Sequence, residues 1–141
     1  EGIWLVDGGV ELTFPEGTIS AAFDSSRQYL LIENKPIGNI YTDNNISILE
    51  SDNTFILNQY IGKEINKSSL KTIDFNAVVD YTMKTRKENH IVEMILEFVD
   101  NSILQVALVN YDLEEHKTPE NYSYDIANDI LISTKEIVSI R

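Results

Sequence analysis

The hydrophobic pattern is strongest from Ile91 to Leu113, where two runs of alternating apolar residues flank Asp100-Asn101-Ser102. Successive side chains of a strand point to opposite faces, so the apolar residues of each run share one face. A three-residue loop, Asp100 to Ser102, sets apolar residues opposite apolar residues, whereas a two-residue loop does not. The pattern therefore predicts a hairpin with these opposite pairs: Val99 and Ile103, Phe98 and Leu104, Leu96 and Val106, Met94 and Leu108.

This hairpin is predicted to form the centre of a sheet. Its outer face carries Glu93, Glu97 and Gln105 and is expected to be polar but sparse, with few polar side chains. So few polar groups argue against a reaction site on this face. A second hairpin is predicted from Val10–Phe14 and Ile19–Phe23, with Glu16-Gly17 at the tip.

The rest of the chain gives shorter and less regular patterns. Residues 28–33 and 37–41 predict another hairpin-like unit, and residues 84–89 a charged turn. Residues 54–83 leave helix and strand open: Leu57, Ile61 and Ile65 recur at the spacing of a short helix, but strand is preferred from Leu70 to Met83. Strands about ten residues apart favour a mainly β fold, an antiparallel β-sandwich or barrel-like sheet of hairpins with room for one short helix.

Length and composition predict one domain over residues 1–141, with a core that needs no disulfide. Cysteine is absent, which excludes thiolate chemistry and fits a cytoplasmic protein. No stretch reaches the roughly 18 apolar residues of a membrane span. The chain does not begin with Met, which leaves its natural N-terminus open, and the sequence does not indicate an oligomeric state.

The formal net charge is −12, and the basic residues concentrate between residues 61 and 90. A negative surface repels phosphate, so neither nucleic acid nor an anionic membrane is expected as a partner. A basic protein is favoured instead, because complementary potentials accelerate encounter. Solubility alone is an equally good explanation of the acidity.

The sequence contains no recognisable catalytic, metal or cofactor motif. Its two histidines, His90 and His116, lie in polar stretches and are expected to be exposed turn residues. The Asx-rich stretches near Asp43 and Asp52 lack the ligand spacing and central Gly of a calcium loop. We therefore expect no enzyme activity, no catalytic residue, no metal and no cofactor.

One acidic, tyrosine-bearing stretch after the central hairpin is the candidate partner-binding site. Carboxylates beside tyrosines suit a groove lined with Arg or Lys, since the tyrosines add contact area. A solvated loop, followed by a strand whose tyrosines pack inward, explains the same residues equally well. The candidate residues are Asp112, Glu114, Glu115, Glu120, Tyr122, Tyr124, Asp125 and Asp129.

The chain resembles the immunity proteins of bacterial polymorphic-toxin and contact-dependent growth-inhibition systems. The resemblance is carried by the opening 4–14 (WLVDGGVELTF), by tight hairpins such as 95–104 (ILEFVDNSIL), and by the acidic, cysteine-free composition. It implies an antitoxin that binds a cognate toxin, often a basic nuclease, and covers its active site. The first alternative is a small-ligand carrier with a lipocalin-like barrel, which would have a large apolar cavity. The second is an enzyme that acts through carboxylates alone, which would need two of them converging in one cleft with perturbed titration.

Overall fold

Two antiparallel β-sheets make up most of the described structure. This computed structural model describes residues 2–6, 8–24, 29–41, 56–79, 84–111, 122–124 and 129–136. The larger sheet contains β1 (Ile3–Val6), β5 (Ile65–Val79), β6 (Lys84–Phe98), β7 (Ile103–Tyr111), β8 (Tyr122–Tyr124) and β9 (Asp129–Ser133). The smaller sheet contains β2 (Gly9–Phe14), β3 (Gly17–Asp24) and β4 (Tyr29–Glu33).

The strand order confirms the predicted mainly β fold. In the larger sheet the order is β1-β9-β7-β6-β5, and β8 also pairs with β7; in the smaller sheet it is β2-β3-β4. The central hairpin, β6 and β7, lies inside the larger sheet as predicted. Neither sheet closes into a barrel, so the sandwich is the appropriate description of the two predicted alternatives.

Two short 3₁₀ helices, Ile37–Asn39 and Ile56–Tyr60, are the helical elements of the described residues. The second answers the ambiguity of residues 54–83 where they are described: Ile56–Tyr60 is helical, and strand β5 follows Gly62. The last part of the predicted strand, residues 80–83, lies outside the described residues. Within the described ranges, no helix is long and apolar enough to cross a membrane.

The core lies between the two sheets. Aliphatic and aromatic residues of β6, β7 and β9 face β2, β3 and β4, and the alternation of strand side chains brings them to one face. Their buried members include Val92, Met94, Leu96, Phe98, Leu104, Val106, Leu108, Ile130 and Ile132, packed against Val10, Ala21, Phe23 and Leu30.

The central hairpin has a three-residue loop, but it lies one residue earlier than predicted. The backbone N–H of Phe98 donates to the carbonyl of Ser102 at 2.9 Å, so Val99–Asn101 forms the loop. Asn101 adopts the left-handed conformation, with φ of 65°, that the last residue of such a loop requires. Asp100 fixes the turn by accepting bonds from the Ser102 N–H at 3.0 Å and from Lys63 Nζ at 2.8 Å. These contacts hold the pKa of Asp100 far below its usual range, the Lys63 bond contributing most.

The predicted register of this hairpin is therefore wrong by two residues. Leu96 lies opposite Leu104, and Met94 opposite Val106. Because the shift is an even number of residues, the apolar side chains still face the core.

The β2–β3 hairpin shows the same kind of shift. Its loop is Pro15-Glu16, not the predicted Glu16-Gly17 tip, which would have set Phe14 opposite Ile19; Phe14 instead lies opposite Gly17. Proline has a fixed φ near −65° and is favoured at the first central position of a turn, which selects this loop.

Two short predictions fail because distant residues decide the local structure. Residues 37–41 were predicted as strand, but Ile37 begins a 3₁₀ helix after Pro36, and its N–H donates to Glu11 Oε2 at 2.8 Å. Residues 84–89 were predicted as a turn, but they open strand β6. There Lys87 and Asn89 reach Asp74 of β5 at 2.9 and 2.8 Å, so cross-strand pairing accounts for the charges.

Candidate functional site

The predicted partner-binding stretch meets the described structure at Tyr122, Tyr124 and Asp129. Its other members, which carry most of its charge, lie outside the described residues: Asp112, Glu114, Glu115, Glu120 and Asp125. The described part of the candidate site therefore consists of the strands β7, β8 and β9, which hold the ends of its two acidic connections.

Those elements meet at one end of β7. Tyr122 lies opposite Tyr111 across the β7–β8 pair, so the connection between these two residues leaves and returns at adjacent positions. Tyr124 and Asp129 lie on opposite sides of Val109, so the next connection also starts and finishes there. Both segments that carry the predicted carboxylates are thus anchored at the same end of the larger sheet.

Tyr122 and Tyr124 pack against the larger sheet, which fits the strand part of the second explanation that the sequence left open. The solvated loop of that explanation lies outside the described residues. Tyr122 is 9% exposed and belongs to a cluster with Ala107, Val109 and Leu131 on the outer face of the larger sheet. Burial raises the pKa of its phenol. Tyr124 packs beside the same cluster and is half-buried. The rings therefore serve first to hold β8 on the sheet.

A buried polar network ties Tyr124 to the central hairpin. Glu93 is only 3% exposed and Gln105 is fully buried. Glu93 Oε2 accepts hydrogen bonds from the Tyr124 hydroxyl at 2.5 Å and from Gln105 Nε2 at 2.6 Å. Of the three residues predicted to form a polar, sparse outer face, Glu93 and Gln105 are instead buried and hydrogen-bonded, as a buried carboxylate requires. The third, Glu97, keeps a side chain that is 39% exposed.

The topology explains why Tyr124 reaches Glu93. Strand β6 pairs with β7 as far as Glu93 and Ala107, and β8 takes its place beside Val109. Ala107 and Val109 are two residues apart and share a face, so Glu93 and Tyr124 become neighbours. The sequence offered one signal, the polar Gln105 inside the apolar run of β7, but Glu93 and Tyr124 are 31 positions apart.

The environment of Tyr124 combines both signs of charge. Lys71 Nζ lies 4.7 Å from the centroid of its ring, a cation–π contact. The pKa of the Tyr124 phenol is raised far above its usual range by burial, then by the hydrogen bond to Glu93 and by the charges of Glu93 and Glu136. The hydroxyl is therefore a stable donor to Glu93 at physiological pH.

The histidines were predicted to be exposed turn residues, and for His90 this is wrong. His90 lies within β6, is 8% exposed, and its Nε2 lies 2.8 Å from Glu88 Oε2. Glu88 also accepts from Arg86, and these two partners hold the pKa of Glu88 below its usual value, Arg86 contributing more. His116 lies outside the described residues. Within the described ranges, no group of three or more His, Asp or Glu residues is placed to hold a metal ion.

Comparison with protein-family models, with curated proteins and with solved structures found no match to this chain.

Proposed function

We propose that this protein is an immunity protein that binds a cognate basic toxin domain, a nuclease, through an acidic surface that covers the toxin's active site. The observation that carries the proposal is the common anchoring of the two acidic connections at one end of β7. The first connection contains Asp112, Glu114, Glu115 and Glu120, and the second contains Asp125 and ends at Asp129.

The charge of the chain supports a positively charged partner. A protein of net charge −12 attracts a basic domain over a distance of about 8–10 Å at physiological salt, which accelerates association. A nuclease must bind phosphate and so presents cationic side chains at its active site. Carboxylates of the immunity protein compete for those same side chains.

The rigid attachment of the site supports binding over a merely solubilising role. Tyr124, Glu93 and Gln105 join β8 to the interior of the sheet through bonds to a buried carboxylate. Segments held at both ends lose less conformational entropy on binding than free tails do. A solubilising acidic tail has no need of such an attachment.

The carrier alternative has less support. A lipocalin-like carrier encloses its ligand inside a closed barrel, whereas the two sheets here are separate and open. The space between the two sheets is filled by large side chains, of which Leu30, Leu104, Leu108 and Ile130 are fully buried.

Co-expression tests the proposal. Bacteria that express a candidate toxin domain should survive when this protein is co-expressed and die without it. A variant with four reversals should fold but lose protection: Glu114→Lys, Glu115→Lys, Glu120→Lys and Asp125→Lys. Full protection by this variant would contradict the proposed binding site. Absence of protection by the wild-type chain against any toxin domain would contradict the proposed function.

A further inference from the structure

Strand β5 is an unusually long edge of the larger sheet. It has 15 residues, against four for β1 at the opposite edge, and within the described residues it pairs only with β6. All residues from 66 to 70 are exposed, and Leu70 is 55% exposed. Exposed edges of this length recruit other strands, so proteins normally keep them short or covered.

The hairpin geometry shows which backbone groups of β5 face outward. Both backbone groups of Phe98 form hydrogen bonds on the β7 side: its N–H donates to the Ser102 carbonyl, and its carbonyl accepts from the Asn101 N–H, each at 2.9 Å. Direction alternates along a strand, so the backbone groups of the residues one, three and five positions before Phe98 point the other way, toward β5. Those residues are Glu97, Ile95 and Glu93, and their partners on β5 are Lys67, Ser69 and Lys71.

It follows that Lys67, Ser69 and Lys71 direct their backbone groups into the β5–β6 ladder. The residues between and after them, Ser68, Leu70 and Thr72, direct their N–H and C=O groups away from β6. All three are exposed. The register of the ladder shifts between Lys71 and Thr72, but the extra residue there is Val92 of β6, so the alternation along β5 continues. This edge therefore presents three donors and three acceptors in the alternating arrangement that another strand would match.

A second copy of the chain is a poor occupant of this edge. Each copy has a net charge of −12, so two copies repel each other at long range. At short range, pairing of two β5 strands about Ser69 would set Lys67 opposite Lys71 twice, and like charges directly opposite each other destabilise a strand pair. Pairing about Leu70 avoids this contact, so the long-range repulsion is the general argument against a second copy.

We propose that the Ser68–Thr72 edge of β5 binds an extended segment of the basic toxin as an added β-strand. This inference rests on the function proposed above and adds a second contact, distant in sequence from the acidic connections. Long-range attraction would favour this partner over a second copy, and main-chain hydrogen bonds would fix its register. The edge itself is basic, since it carries Lys71 and Lys67, whose side chain is 64% exposed with its Nζ 3.6 Å from Glu97. The facing positions of the added strand should therefore carry carboxylates, although the toxin domain as a whole is basic.

Proline substitution tests the edge with little change to the side-chain surface. Leu70→Pro removes an outward N–H, and Pro is tolerated on an edge strand where the N–H faces solvent. We expect its affinity for the inactivated toxin domain identified by co-expression to fall about 10- to 100-fold. Ser68→Pro is the second variant and should behave alike. Asn76→Pro is the matched control. Asn76 lies on the same strand and, by the same alternation, directs its N–H away from β6, but it lies outside the proposed edge, so this variant should bind as the wild type does.

Amide exchange by NMR gives a test without substitution. In the free protein the amides of Ser68, Leu70 and Thr72 should exchange quickly and those of Ser69 and Lys71 slowly. In the complex all five should be protected.

The outcomes separate the two proposals. Unchanged exchange at Ser68, Leu70 and Thr72, or wild-type affinity in folded Leu70→Pro, overturns the edge while the antitoxin function stands. Loss of binding by a folded Asn76→Pro overturns the location. If the wild type binds no toxin domain, both proposals fail.

Discussion

Removing the Tyr124 hydroxyl should cost more stability than an ordinary surface change. In Tyr124→Phe the ring keeps its place near Lys71, and only the hydrogen bond to Glu93 is lost. Glu93 is 3% exposed, so water does not readily replace the missing donor. Gln105 would remain as the described donor to the same oxygen.

The magnitude follows from the charge and burial of the acceptor. Hydrogen bonds to charged groups contribute about 1.5–3 kcal/mol, against about 0.5–1.5 kcal/mol for neutral pairs. We expect Tyr124→Phe to lower the free energy of unfolding by about 2 kcal/mol at pH 7. In a Glu93→Gln background the acceptor is neutral, and the same substitution should cost about 1 kcal/mol.

Urea denaturation of the four proteins in this double-mutant cycle measures the difference directly. The midpoint should fall with little change in slope, because the same surface is exposed on unfolding. The reasoning is refuted if Tyr124→Phe costs less than about 0.5 kcal/mol, or costs the same with Glu93 and with Gln at position 93.

Three further predictions concern other parts of the fold. Tyr60→Phe removes a hydrogen bond to the Ile103 carbonyl and should cost about 1 kcal/mol at pH 7. Burial raises the pKa of Tyr60 to about 12, so its contribution is complete below the unfolded pKa near 10 and is lost as pH rises toward 12. The wild type should lose roughly 1 kcal/mol relative to the variant by pH 11. A stability difference that does not change with pH in urea titrations would contradict this. Gly9→Ala should lower the free energy of unfolding by about 1–3 kcal/mol, because its Cβ would lie 2.3 Å from the Ala21 carbonyl oxygen. In the control Gly8→Ala the new Cβ meets no atom within 4 Å, so its effect should be near neutral. Equal melting temperatures of the two variants would contradict the packing. Asn101→Ala should cost about 1 kcal/mol and Asn101→Gly little, because φ there is 65°; equal effects in thermal unfolding would argue against the left-handed turn.

The sequence predicts which residues face the core more reliably than it predicts which residues pair. In both the β6–β7 and β2–β3 hairpins the apolar face is correct and the register is wrong by two residues. Apolar alternation has a period of two, so it cannot distinguish registers that differ by two. Turn chemistry decides between them, through Pro15 in one loop and Asn101 in the other.

The buried outer face of the larger sheet could not be predicted from alternation. Glu93 and Gln105 alternate with apolar residues, which normally indicates a solvent-exposed face. Tyr124 supplies a hydrogen bond to Glu93 from a strand that follows a long polar connection. The sequence contains these residues but not their proximity, which depends on β8 taking the place of β6 beside β7.

The candidate site was predictable as a stretch of charge but not as an arrangement. Its acidic residues are evident in the sequence, but the sequence leaves open whether Tyr122 and Tyr124 contact a partner or pack against the sheet. The structure adds the common anchor of both acidic connections at Tyr111, Val109 and Asp129. The β5 edge was not predicted, because an exposed strand edge depends on which strands pair.

Association kinetics with the cognate toxin domain test the central proposal most directly. Two variants change the net charge equally, by four units: Glu114→Lys with Glu115→Lys inside the proposed site, and Glu16→Lys with Glu64→Lys at exposed positions outside it. We predict that the first pair lowers the association rate at least about tenfold and flattens its dependence on salt, while the second has a small effect. Equal effects of the two pairs, or a rate that does not change with salt, would contradict an acidic binding site in this segment.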